Sequence, residues 1–365
     1  MKPAPYRIQI KRRKKQLGYF RKNIEKMEGY QPGEQPQDGQ YIKLNTNENP
    51  YPPSPKVAEA INKEANTSIR LYPSPMADLL RRKAAKVYGV KEENILAGNG
   101  ADDLLSILVR SFVGKGDLVV IPTPTYTLYD TLVTIQDGEK LNVPFTEDFD
   151  IPEGFVKRDA KLTFLANPNS PSGTFTPVKK IAGLAKELEG VLVVDEAYVD
   201  FASESAILLI NEYPNIVVLR TFSKSFSLAG MRIGLAFANN NLIGGMTKVK
   251  DSYNLNRLSI AAATAALDDM PWMEGNVAKI KKTRERVSTS LTGLGFKVYP
   301  SQSNFVLARI PGRNLKGIYE ELKRRGVLVR YFDTPKLQDC IRVTVGTYDE
   351  ISRLLKELSE ILEKK

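Results

Sequence analysis

Histidine is absent from this 365-residue chain, and cysteine occurs once, at Cys340. The first absence excludes imidazole bases and the common zinc ligand sets, and the second excludes a disulfide within the chain. Any proton transfer therefore falls to lysine, tyrosine or a carboxylate. Long apolar runs are missing too: none could span a bilayer, and the amino terminus lacks the apolar core of a secretory signal. A cytoplasmic location is expected on that basis. Acidic residues are absent from positions 1–22, which hold nine of the 53 lysines and arginines. Beyond them 44 cations face 42 carboxylates, so the net charge of +11 is mostly a property of this arm. The run Lys11-Arg12-Arg13-Lys14-Lys15 has the charge to touch nucleic acid or an anionic membrane surface, but a solvated arm is the expected reading, with neither as partner.

The remaining chain is long enough to bury a large core. Short apolar runs at Leu118 to Ile121, Leu162 to Leu165, Val191 to Val194, Ile216 to Leu219 and Ile233 to Phe237 read as buried strands. Helical patterns lie between several of them, as in Ile181, Leu184, Ala185 and Leu188. At the carboxyl end Ile351, Leu354, Leu355, Leu358, Ile361 and Leu362 mark an amphipathic helix packed on its own domain. This alternation predicts an α/β protein with one large domain and a smaller companion. Residues 31–39 read as a loop from their proline, glycine and polar content.

Chemistry is concentrated where these strands end. Lys224 follows Ile216 to Leu219 among hydroxyls and small residues, with Arg232 eight positions further on. A lysine in the crevice at a strand's carboxyl end can lose its proton by desolvation and condense with an aldehyde, while the hydroxyls and the arginine grip a phosphate. Pyridoxal phosphate supplies both groups; a solvated loop lysine is the competing reading. Asp195 closes the strand Val191 to Val194, with Tyr198 three residues on. A carboxylate there suits a protonated ring nitrogen and a tyrosine suits a phenolate oxygen, although taken alone a helix N-cap is the commoner use of aspartate. Small residues at Gly98-Asn99-Gly100-Ala101-Asp102 open a helix whose N–H groups can meet a phosphate. Tyr126, after Leu118 to Ile121, can stack on a flat ring or simply join the core.

Together and in this order, the segments resemble the fold-type-I pyridoxal-phosphate aminotransferases, and more closely the histidinol-phosphate aminotransferase family. Besides the lysine segment, the likeness rests on Leu44-Asn45-Thr46-Asn47-Glu48-Asn49-Pro50, Leu71-Tyr72-Pro73, Asn167-Pro168-Asn169-Ser170-Pro171-Ser172-Gly173, Asp195-Glu196-Ala197-Tyr198, Val329-Arg330-Tyr331-Phe332 and Ile341-Arg342-Val343-Thr344-Val345-Gly346. It runs from about Tyr30 to the end. The resemblance implies a large domain with a mostly parallel central sheet flanked by helices, over residues 46–275, and a smaller α+β domain over 276–365. Residues 23–45 would join the small domain and residues 1–22 would form the basic arm.

For the site, the resemblance implies that Lys224 holds the cofactor, Asp195 pairs with its ring nitrogen, Tyr198 meets its phenolate oxygen and Tyr126 stacks on its ring. The phosphate would be gripped by the backbone of Ala101 and Asp102, by Thr221, Ser223 and Arg232, and by Tyr72 from a second subunit, which requires a homodimer with shared sites. Arg342 and Arg330 would hold the substrate's anionic group, with Tyr30 and Tyr253 lining the pocket. Ser170 stands where the family commonly has an asparagine that bonds the phenolate oxygen, which leaves Tyr198 as the firmer partner. The implied reaction is transamination between glutamate and imidazole-acetol phosphate. Aromatic amino-acid aminotransferases and a threonine-phosphate decarboxylase share these features. An aminotransferase-like DNA-binding regulator would need more chain than the 22 or so residues before the core.

Overall fold

The computed structural model describes residues 18–30, 33–36 and 41–363. Most of the basic arm and of the loop read at 31–39 lies outside the described residues. Seven strands make the central sheet: β1 (Ile95–Gly98), β2 (Leu118–Thr123), β3 (Glu139–Pro144), β4 (Leu162–Ala166), β5 (Val191–Asp195), β6 (Ile216–Thr221) and β7 (Gly234–Ala238). Their order is β1-β7-β6-β5-β4-β2-β3, and only β7 runs antiparallel to its neighbours.

The five strands read from apolar runs are all here, and their continuous apolarity has a physical cause. Leu192, Val194 and Val218 enter one buried cluster, with Ile181 and Leu184 of the helix Val178–Glu187 and Ala262 and Ala263 of the helix Arg257–Leu267. Val193, Val217 and Leu219 enter the cluster on the opposite face, with Leu105 and Leu108 of the helix Ala101–Phe112 and Val133 of the helix Leu128–Ile135. With helices on both faces, every position of a central strand is interior.

A second, antiparallel sheet contains β8 (Lys297–Val298), β9 (Phe305–Arg309), β10 (Arg330–Tyr331) and β11 (Cys340–Thr344) in the order β10-β11-β9-β8. Its Val306, Ala308, Ile341 and Val343 pack against Ile318 and Leu322 of the helix Lys316–Arg324 and Ile351, Leu354 and Leu358 of the helix Tyr348–Glu363. The two halves share the helix Met270–Gly293: Val277 and Ile280 belong to the core of the central sheet, Val287 and Leu291 to that of the smaller one. The boundary drawn at 275 from sequence therefore falls inside one continuous helix. Ile42–Lys43 pairs in parallel with Val327–Leu328, which ties the segment entering the large half to the small one.

Candidate active site

Parallel pairing brings the carboxyl ends of β2, β4, β5 and β6 to one edge, and the reversed β7 starts there. The connections at that edge carry Tyr126, Ser170, Asp195, Tyr198, Lys224 and Arg232, the position where open α/β sheets bind ligands. They line a cavity of about 340 Å³, closed from the other side by Asn45, Asn47, Arg330, Phe332 and Arg342.

Two glycines shape one end of it. Gly100 has φ +87°, and a Cβ there would come within 2.6 Å of the Arg232 guanidinium. A Cβ on Gly234 would meet the backbone of Gly100 and Ala101 at 2.8–2.9 Å. The helix Ala101–Phe112 can thus rest its uncapped first turn against the sheet, beside Thr221, Ser223 and Arg232. Ser223 Oγ accepts from Thr221 Oγ1 at 3.0 Å and from Arg232 Nη1 at 3.4 Å, and Arg232 Nη2 also donates to Asp102 Oδ2 at 3.2 Å.

Asp195 is buried on the cavity floor. Its Oδ2 accepts from Tyr129 Oη at 2.6 Å and its Oδ1 from the Ala197 N–H at 3.1 Å. Burial pushes its pKa above the usual carboxylate range, and those two hydrogen bonds oppose the rise. Lys224 Nζ donates to the Thr46 carbonyl at 3.3 Å and lies 5.6 Å from the centroid of the Tyr198 ring. On the far wall Arg330 and Arg342 are register partners on β10 and β11. Arg342 donates to Ser170 Oγ at 3.1 Å and to the Asn45 carbonyl at 2.9 Å, while its buried Nε lacks an acceptor. Burial, reinforced by Arg330, pushes its pKa down to about 10, which still leaves it cationic at neutral pH.

The aminotransferase class I and II family model matches residues 39–358. A histidinol-phosphate aminotransferase of Citrifermentans bemidjiense is 48% identical over 94% of this chain and 98% of its own length. Histidinol-phosphate aminotransferase 1 of Trichormus variabilis is 44% identical over 94% of this chain and 99% of its own. This chain belongs to the histidinol-phosphate aminotransferase family. Among solved structures, the Sinorhizobium meliloti histidinol-phosphate aminotransferase in complex with pyridoxal-5'-phosphate is similar with a TM-score of 0.87 and 28% identity, over 96% of this chain and 99% of that one.

The cavity of this family member suits that cofactor. It offers a lysine, a buried carboxylate, and at its glycine-shaped end a guanidinium, two hydroxyls and an uncapped helix N-terminus. Of the residues singled out from sequence, Tyr30, Ala101, Asp102, Tyr126, Ser170, Asp195, Tyr198, Thr221, Ser223, Lys224, Arg232, Arg330 and Arg342 all line it. Tyr72 and Tyr253 do not. They stack on each other with ring centroids 4.4 Å apart, 77% and 46% exposed. Tyr129 escaped the sequence reading. Its ring stacks on Phe164 at 4.4 Å and its hydroxyl reaches Asp195 from inside the core, and its spacing of three from Tyr126 on the start of a helix was the available signal. No group of residues that could hold a metal ion occurs among the described residues, and no helix there is long and apolar enough to cross a membrane.

Proposed function

We propose that this chain is a histidinol-phosphate aminotransferase, moving an amino group between glutamate and imidazole-acetol phosphate to give histidinol phosphate and 2-oxoglutarate. The observation that carries the reading is the pair Arg330 and Arg342 on the wall of the cavity that also holds Lys224. Arg342 is a half-buried cation lining the cavity, with no acidic partner in ion-pair distance among the described residues and an enclosed, unsatisfied Nε. Leaving such a group without an anion is costly, and two forked cations match the doubly charged phosphate of the substrate. The same pair can take a glutamate carboxylate in the other half of the reaction. The names carried by relatives 44–48% identical support the assignment.

The cofactor in this reading is pyridoxal 5'-phosphate, which when bound supplies an aldehyde for a lysine and a ring that accepts the electron pair released at the substrate carbon. Lys224 would hold it covalently and, once released, carry the proton between carbon atoms. Asp195, braced by Tyr129 and the Ala197 N–H, would keep the ring nitrogen protonated. Tyr198 and Ser170 would face the phenolate oxygen, Tyr126 the ring, and Thr221, Ser223, Arg232 and the N–H groups of Ala101 and Asp102 the phosphate. Tyr30 would help exclude water: its ring meets the edge of Tyr126 at 5.9 Å between centroids.

The enzyme in this reading is a cytoplasmic homodimer. Tyr72 would reach a partner's phosphate site and Tyr253 a partner's substrate pocket. Exposed Ile69, Leu71 and Leu79, close to Tyr72 in sequence, give that face the apolar surface an interface needs. Residues 46–275 would form the cofactor-binding domain and 276–365 the small domain, with 23–45 joining the latter. The test is the lysine. Wild-type protein purified with cofactor should be yellow and transaminate histidinol phosphate with 2-oxoglutarate, and Lys224→Ala should have no measurable turnover. Ordinary steady-state transamination by that variant would contradict the assignment.

A further inference from the structure

Asn47 makes more directed contacts than any role in chain connection requires. It is buried and has φ +59°, in the left-handed region that asparagine tolerates better than most residues. Its N–H donates to Thr344 Oγ1 at 3.0 Å, the same hydroxyl donates to its Oδ1 at 3.0 Å, and its carbonyl accepts from Asn304 Nδ2 at 2.9 Å. Thr344 ends β11 and Asn304 immediately precedes β9, so three polar atoms of Asn47 are held by the smaller sheet. With Oδ1 engaged by Thr344, the amide nitrogen points the other way, and Nδ2 donates to Tyr198 Oη at 2.9 Å.

A phenol has one proton and two acceptor positions. A donor fixed on the oxygen leaves the proton of Tyr198 free to point into the cavity that its side chain lines, and it polarises the hydroxyl toward stronger donation. The Tyr198 ring packs nearly perpendicular to that of Phe305 of β9, with 5.0 Å between centroids. The titratable groups facing Tyr198 are Lys224 over its ring, Arg342 from the smaller sheet and Tyr129 from the helix Leu128–Ile135. We propose that Asn47 is a positioning residue that orients the Tyr198 hydroxyl as a hydrogen-bond donor into the cavity and makes that orientation depend on where the smaller sheet sits. The proposal rests on the reading of Tyr198 as the partner of the cofactor's phenolate oxygen.

The measurement is a spectrophotometric pH titration of the visible band of the lysine-bound cofactor in the wild type, Asn47→Ala, Tyr198→Phe and the double variant. Donation to the phenolate oxygen draws charge from it and weakens its hold on the neighbouring imine proton. Loss of donation should therefore raise the midpoint. Asn47→Ala should raise it by about half to one pH unit, the size that one hydrogen bond of ordinary strength gives. In the Tyr198→Phe background, Asn47→Ala should add nothing, a non-additivity that general loosening of the fold would not produce. Asn47→Asp, which keeps the size but accepts the Tyr198 proton, should move the midpoint up at least as far. Thr344→Val should move it the same way by less. A shift with Tyr198→Phe and none with either Asn47 variant would overturn the proposal alone. An unshifted Tyr198→Phe titration would overturn the reading of Tyr198 and the proposal with it.

Discussion

Asp195 is held in a buried place at the expense of the protein's own stability. Its carboxylate is buried, with a tyrosine hydroxyl and one backbone N–H as its hydrogen-bond donors, and its folded pKa is raised by desolvation. A raised carboxyl pKa means that the folded chain binds this proton more tightly than the unfolded one, so stability falls as pH climbs from the unfolded pKa through the folded value. At pH 7 the ionised group is a net cost. Asp195→Asn should therefore be better tolerated at pH 7 than at acid pH, where the wild-type carboxyl is neutral: the unfolding free energy of the variant apoprotein relative to wild type should fall as pH is lowered through the raised folded pKa. The same variant should lose several orders of magnitude in turnover, because an amide cannot hold a ring proton as a carboxylate does. Thermal unfolding of both apoproteins across pH, with a turnover assay, checks the two halves. A stability difference that stays constant across pH, or grows in favour of the variant at acid pH, would contradict a raised carboxyl pKa for Asp195. At this scale the sequence singled out Lys224, Asp195 and Tyr198 because each lies at or within three residues of the end of an apolar strand. The contact of Tyr129 with Asp195 and that of Asn47 with Tyr198 could not be read, because each joins residues far apart along the chain.

Among the elements, the meeting of the helix Ala101–Phe112 with the start of β7 shapes the glycine-lined end of the cavity. Gly98 and Gly234 are register partners, and the absence of side chains at Gly100 and Gly234 lets the helix terminus and Arg232 close on one space. Gly100→Ala should combine a strained backbone with a Cβ driven into the guanidinium. The expected result is a loss of about 1–3 kcal/mol in cofactor binding, or roughly fivefold to more than a hundredfold in affinity, measurable by equilibrium dialysis. Unchanged affinity would show that Arg232 does not need its present position. The interior strands could be read because burial on both faces leaves an unbroken apolar signature. The edge strand β3, Glu139–Pro144, could not, since its Glu139, Lys140 and Asn142 are polar and several of its positions are exposed. The helix Met270–Gly293 gives no break in the sequence between the two cores, because one helix contributes side chains to both.

For the whole molecule, the single chain leaves Tyr72 and Tyr253 outside the cavity and exposed, with exposed Ile69 and Leu71 close to Tyr72 in sequence. If Tyr72 completes a partner's site, inactive Lys224→Ala mixed with an impaired Tyr72→Phe variant should gain activity upon subunit exchange, because one site in the mixed dimer regains both native residues. No gain despite verified exchange would assign Tyr72 to its own chain. Sequence likeness pointed to this arrangement through the Leu71-Tyr72-Pro73 segment alone, since contacts between copies leave no periodic signal in one chain.

The central claim is that the two arginines facing each other across β10 and β11 select a phosphate-bearing amine. The most direct measurement is kcat/KM for histidinol phosphate against histidinol and phenylalanine, with 2-oxoglutarate as acceptor, in the wild type, Arg330→Ala and Arg342→Ala. Charge-assisted hydrogen bonds contribute roughly 1.5–3 kcal/mol each, so the wild type should prefer histidinol phosphate over histidinol by about tenfold to more than a hundredfold. Arg330→Ala should erode that preference, and Arg342→Ala should also impair glutamate, whose carboxylate uses the same anchor. Phenylalanine turned over as efficiently as histidinol phosphate would contradict the account and make the protein an aromatic amino-acid aminotransferase.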